Sequence, residues 1–289
     1  MKKSRVRTTV WWLIILVVVL AGVWQIRAKL IAPETVEPLV FAVIPAEDAG
    51  LEAERFSPLV AYLTERLGRP VELMLAVDYT AVVEALKYGH ADIARLGPFT
   101  YVLATQEAEV EAFAVGVTEI HGEPSYHAII IARADRHVED LNRASLAYVD
   151  VGSTSGYLAP STYIMDAGIE LGEMFYAGTH NAAIAAVQNG TVDAACTADI
   201  IYVTALEEGV IAEGEFDIVW TSGPLPGSPI VMQQSLDPEL QDEIRAAFLE
   251  APPDIILHIG IGECQYVPVS DSDYDEIRAI AKRHGQAGK

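Results

Sequence analysis

The chain has 289 residues, of which 51% are hydrophobic, and a formal net charge of −22 at pH 7. That is enough apolar material for a large core or two lobes, and it argues against a disordered chain. Six of the 19 basic residues (Lys2, Lys3, Arg5, Arg7, Arg27 and Lys29) precede residue 30, leaving 13 basic against 41 acidic residues. This balance argues against a nucleic-acid partner and implies that any anionic ligand is held by neutral donors.

The basic residues 1–7 and the apolar run Val10 to Trp24 have the layout of an export signal or a short membrane anchor over residues 1–32. No cysteine follows the run, which excludes a lipoprotein. Residues 33–38, with two prolines and two glutamates, read as a linker. The body opens with a buried strand, Leu39 to Pro45. The helical face Phe56, Leu59, Val60, Leu63 and Leu67 follows, and Gly68 stops it. A strand over Val71 to Val77, a helix over Tyr79 to Tyr88, a strand over Ala91 to Leu96 and a helix opening at Gly97-Pro98 come next. Alternation of this kind predicts an α/β fold with mainly parallel sheets, in which ligands collect at the carboxyl ends of strands. Tyr126 to Arg133 reads as a crossing into a second lobe, and the proline-rich segment Thr221 to Pro229 as the return. The expected division is a first lobe of 39–128 plus 226–289 and a second of 129–225. Helices over Asp237 to Phe248 and Asp275 to Arg283 are expected to pack back on the first lobe.

Asp150-Val151-Gly152-Ser153-Thr154-Ser155-Gly156-Tyr157 stands out, because three successive hydroxyls sit between two glycines where a strand passes into a helix. A helix N-terminus offers unpaired N–H groups and a dipole that favours negative charge. One cap needs one hydroxyl, so three point to a pocket for a small oxyanion. Cys196 and Cys264 lack metal-ligand spacing, and neither a metal nor a cofactor is expected.

Several ordered motifs carry a resemblance: Tyr79-x-x-Val82-Val83-x-Ala85-Leu86, Ala91-Asp92-Ile93-Ala94, Leu96-Gly97-Pro98, Gly152 to Tyr157, Gly178-Thr179-His180, Asn189-Gly190-x-Val192-Asp193-Ala194, Trp220-x-Ser222 and Val267-Pro268 with Asp273-Tyr274. Through them the chain resembles the phosphonate/phosphite-type substrate-binding proteins of ABC importers, from about Leu39 to Arg283. The resemblance implies a two-lobed flytrap that closes on a small phosphorus oxyanion (phosphonate, phosphite or phosphate) and presents its closed form to a membrane permease, without catalysis. By position, Tyr79 and Tyr126 would donate phenolic hydroxyls, Ser153, Thr154 and Ser155 would hold the oxygens, and His180 would add a ring N–H. Asp199 would stand where aminophosphonate binders meet an amine, but a second acid of those relatives is replaced at Gly227-Ser228. Gly97, Pro98 and Phe99 would shape the cleft wall, and Arg95 is unusual before Leu-Gly-Pro.

Plainer roles exist for several of these residues. Tyr79 and Tyr126 are also placed to pack, Asp199 to cap the helix that follows it, and His127 to support a strand. Two other functions compete. An uncleaved anchor would suit a ligand sensor for a signalling kinase. Ser155, His180 and Asp199 could form a hydrolase relay, although their order differs from that of α/β hydrolases.

Overall fold

The computed structural model describes residues 37–285 other than 137, 139 and 260. The expected signal or anchor, and the expected linker before residue 37, lie outside the described residues. Among the described residues no helix is long and apolar enough to cross a membrane.

Short apolar runs separated by one-sided helices build the first lobe. β1 (Leu39–Val43) lies between β2 (Val71–Leu75) and β3 (Ile93–Arg95), parallel to both. α1 (Ala49–Leu67) connects β1 to β2, buries Phe56, Leu59 and Leu63, and ends at Gly68 with φ 61°, a conformation that glycine adopts without steric cost. α2 (Tyr79–Lys87) starts where Asp78 accepts a hydrogen bond from the Ala81 N–H at 2.7 Å. α3 (Pro98–Glu107) follows β3 directly, with proline in its first turn. β4 (Val110–Thr118), β12 (Pro229–Gln233) and β13 (Glu263–Pro268) complete a six-stranded sheet of order β13-β4-β12-β3-β1-β2.

The second lobe is a five-stranded sheet of β6 (Ala128–Arg133), β7 (Leu146–Tyr148), β8 (Met174–Tyr176), β9 (Ala194–Ala198) and β10 (Phe216–Thr221), in the order β10-β6-β9-β7-β8. Its helices are α4 (Ala159–Ala167), α5 (His180–Gln188) and α6 (Asp199–Glu207). Between the sheets runs a ribbon of β5 (Ser125–Tyr126) and β11 (Leu225–Pro226), antiparallel to each other.

The sheets are mixed rather than mainly parallel. β12 runs antiparallel to β3 and β4, β13 to β4, and β6 to β9 and β10. A parallel neighbour needs a crossover connection, usually helical. β6 and β12 instead enter their sheets straight from the ribbon, so they arrive running against the strands already there.

Aromatic side chains fill the first core. The Phe248 ring on α7 (Pro238–Leu249) lies 5.8 Å from Phe41, 5.5 Å from Phe113 and 5.8 Å from Tyr266, in edge-to-face pairs. A short α8 (Pro253–Leu257) leads from it toward β13. α9 (Asp275–His284) was expected on the first lobe; it packs on both α3 and α4, and so touches both lobes. Cys196 and Cys264 are both free thiols.

Candidate ligand-binding site

The Ser-Thr-Ser turn is organised by its own backbone. Ser153 caps it, its Oγ accepting from the Gly156 N–H at 3.0 Å, and residues Thr154–Leu158 wind as one π-helical turn ahead of α4. Both glycines are sterically required. A Cβ at Gly156 would lie 2.4 Å from the Val149 side chain, and one at Gly152 would lie 2.9 Å from Tyr79 Cβ. Gly152 thus lets the turn of the second lobe close on the tyrosine of the first.

Tyr79, Gly97, Tyr126, Ser153, Thr154, Ser155 and His180 all line one cavity of about 50 Å³. That is several times the roughly 10–15 Å³ that a water molecule needs. Tyr79 opens α2 and Tyr126 lies on the inter-lobe ribbon, so the phenols come from one side and the hydroxyl turn from the other. Burial pushes both phenols above the ordinary tyrosine range, Tyr126 to about 12. The Ser153 hydroxyl beside Tyr79, and those of Thr154 and Ser155 beside Tyr126, pull the other way. Both phenols therefore keep their protons and remain donors at neutral pH.

Direct bonds join the lobes around this cavity. The Phe99 N–H donates to Thr154 Oγ1 at 2.8 Å, Thr100 Oγ1 donates to the Gly152 carbonyl at 2.9 Å, and the His180 N–H donates to the Ala46 carbonyl at 2.9 Å. Arg55 reaches Glu208 at 2.6 Å and also pairs with Glu47. This is a closed arrangement of the two lobes.

Pro98, Phe99 and Asp199 do not line the cavity. Phe99 contributes its N–H to Thr154 instead of a wall. The Asp199 carboxylate accepts from the N–H groups of His127 and Ile200 at 2.9 and 2.8 Å and pairs with His121 Nε2 at 2.8 Å. His180 Nδ1 lies 2.9 Å from Thr197 Oγ1. The carboxylate that would orient His180 in a hydrolase relay is therefore engaged elsewhere, and a hydroxyl takes its place.

The sequence reading missed other wall residues: Glu47, Glu52, Phe56, Ile259 and Ile261. Glu47 and Glu52 follow the carboxyl end of β1, the one signal that could have found them. Burial raises both carboxyls, Glu47 to about 7. Arg95, on the same wall, is paired with Glu263 at 2.9 Å, so its charge is neutralised locally.

Burial lowers the His180 pKa to about 4, against 6.5 for an exposed imidazole. In the window between those values the unfolded chain binds a proton that the folded protein refuses. His180 therefore contributes stability in full above pH 6.5, and this is lost as the pH falls toward 4. Urea unfolding at pH 7.5 and pH 5 should show wild type losing about 2 kcal/mol more than His180→Asn. Equal losses would show that His180 does not titrate in this way.

Two mixed sheets joined by an extended ribbon and closed over a small cavity with hydroxyl groups in its wall define a two-lobed solute-binding protein. The chain belongs to the family of ABC transporter, phosphonate, periplasmic substrate-binding proteins, which it matches over residues 41–274. It is accordingly an extracytoplasmic substrate-binding component of such a transporter. It is 29% identical to the phosphate-import protein PhnD of Mycolicibacterium smegmatis over 273 residues, 84% of this chain and 85% of that one. It is 26% identical to the phosphonates-binding periplasmic protein of Escherichia coli, over 86% and 78% of the two chains. A binding protein of a Pseudomonas aeruginosa phosphonate transporter has the same fold, with TM-score 0.79 at 22% identity over 86% of this chain and 87% of that one. So does PhnD1 of Prochlorococcus marinus, solved with methylphosphonate, with TM-score 0.79 at 17% identity over 86% and 98%.

Proposed function

We propose that the cavity captures a small phosphorus oxyanion (phosphonate, phosphite or phosphate) and that the closed form delivers it to an ABC permease. The lobes of this reading are 39–128 plus 226–289 and 129–225, with residues 1–32 as export signal or anchor. The observation that carries it is the placement of the Ser153–Ser155 turn opposite Tyr79 and Tyr126 in one small cavity. Hydrogen bonds to an ionised oxygen are about twice as strong as neutral ones, so these uncharged donors suffice. When the Thr197 hydroxyl donates to His180 Nδ1, the neutral ring presents Nε2–H as a further donor. Glu52, held toward its protonated form by burial, repels an anion little. The names of the relatives in M. smegmatis and E. coli, and the methylphosphonate in P. marinus PhnD1, support the same ligand class.

Thermal melting with phosphate, phosphite, methylphosphonate, aminoethylphosphonate and sulfate tests the assignment. A ligand at 100 times its Kd stabilises by about 2.7 kcal/mol, which should raise Tm by roughly 5–10 °C. One phosphorus oxyanion should do so and sulfate should not. A panel in which none shifts Tm, or sulfate shifts it equally, would overturn the reading.

A further inference from the structure

Three side chains at the junction of the lobes serve neither the cavity nor the core. His121 lies in the turn between β4 and β5, His127 between β5 and β6, and Asp199 opens α6 at the end of β9. One nitrogen from each histidine and one carboxylate oxygen all lie within 4.8 Å of one another. His121 Nε2 is 2.8 Å from Asp199 Oδ2, and the two imidazole rings stand edge to face at 5.3 Å.

The outer contacts of the cluster resemble those of a metal centre. His127 Nδ1 is 2.9 Å from the Ser222 carbonyl oxygen. A carbonyl only accepts, so Nδ1 carries the proton and Nε2 keeps its lone pair. Metal-ligating histidines are oriented by this kind of bond. Asp199 Oδ1 accepts from the His127 and Ile200 N–H groups, which aims Oδ2 at the histidines. All three residues are half-buried, so an ion has a path in. Two imidazole nitrogens and one carboxylate oxygen suit a borderline divalent cation, with water in a fourth position.

We propose that His121, His127 and Asp199 form a divalent transition-metal site, of the zinc class, at the hinge. The cation takes the place of the hydrogen bond between His121 Nε2 and Asp199 Oδ2, and the neutral His121 ring then carries its one proton on Nδ1. With Zn–N and Zn–O near 2.0–2.2 Å and tetrahedral angles, their separation widens by about half an ångström, which is within the reach of a turn residue. The site ties the β4–β5 turn of the first lobe to the corner between β9 and α6 of the second, beside the ribbon that joins the lobes. Metal occupancy therefore couples to lobe closure without touching the oxyanion pocket.

The test is calorimetric titration of the purified full chain with Zn²⁺ in phosphate-free buffer, and titration with Co²⁺ read by visible absorption. The expected result is one site per chain, with the intense bands of tetrahedral Co²⁺. His121→Ala and His127→Ala should each weaken Zn²⁺ binding by at least about 100-fold. Circular-dichroism melting reports whether each variant is folded. Should His127→Ala fail to fold, His121→Ala decides, because its residue sits in a half-exposed turn. Absence of saturable binding by wild type, octahedral-type Co²⁺ spectra, or unchanged affinity in a folded His121→Ala protein would each overturn the site.

Discussion

Tyr79→Phe combined with Ser155→Ala lowers the affinity for the phosphorus oxyanion by about 10²–10⁴-fold and leaves the protein folded. Each substitution deletes one hydroxyl donor to an ionised oxygen, and a hydrogen bond to a charged group contributes about 1.5–3 kcal/mol. Two such losses amount to about 3–6 kcal/mol, at 1.4 kcal/mol per decade of affinity. The choice of residues follows from the other bonds at the turn. Ser153 also caps the Gly156 N–H, and Thr154 also accepts from Phe99 N–H across the cleft, so removing either would mix binding with local folding. Tyr79→Phe keeps the buried ring against Gly152 and the first core. Calorimetry with methylphosphonate and phosphite reads the affinity, and far-UV circular dichroism reads the fold. Unchanged affinity in the folded double variant would remove the hydroxyl donors from the binding mechanism.

Arg95→Met destabilises the protein by about 3–5 kcal/mol, the cost of leaving a buried partner charge alone. Arg95 and Glu263 are 4% and 3% exposed and are bonded at 2.9 Å. Glu263 fits only because Gly116 has no side chain; a Cβ there would lie 2.2 Å from its carboxyl carbon. Arg95 Nε, Glu263 Oε2 and the Tyr266 hydroxyl lack hydrogen-bond partners among the described residues, so the layer has little reserve for a lost charge. The double variant Arg95→Met with Glu263→Leu should recover most of the loss, because it removes both desolvated charges together. Urea unfolding of both single variants and the double variant measures the cycle. A single Arg95→Met protein as stable as wild type would show that Glu263 needs no guanidinium beside it.

Much of the site was legible because it is local. Ser153 caps a bond three residues away, and Gly152 and Gly156 flank one turn, so residue type and short spacing carry the information. Tyr79 was recognisable because it follows a strand and begins a helix. Asp199 was drawn to the ligand by its position in the resemblance, whereas its carboxylate turns to His121 and the His127 backbone. Residues 72 and 78 positions away decide that choice, and no local pattern announces them. The same holds for Arg95, whose partner is 168 residues distant.

The alternation of apolar runs and one-sided helical faces determined the α/β class and the two lobes, and short spacing determined the capped Ser153–Ser155 turn, since each depends on backbone preferences and burial over a few residues. Strand direction was left to the tertiary structure. β12 is as apolar as a parallel strand and is buried throughout, yet it runs antiparallel between β3 and β4. Burial selects side chains without regard to chain direction. Direction comes from the connection, and here the return through the ribbon places β12 in the first sheet without a helical crossover. The same return closes the second lobe over Tyr79, so the cavity exists only once segments distant in sequence have met.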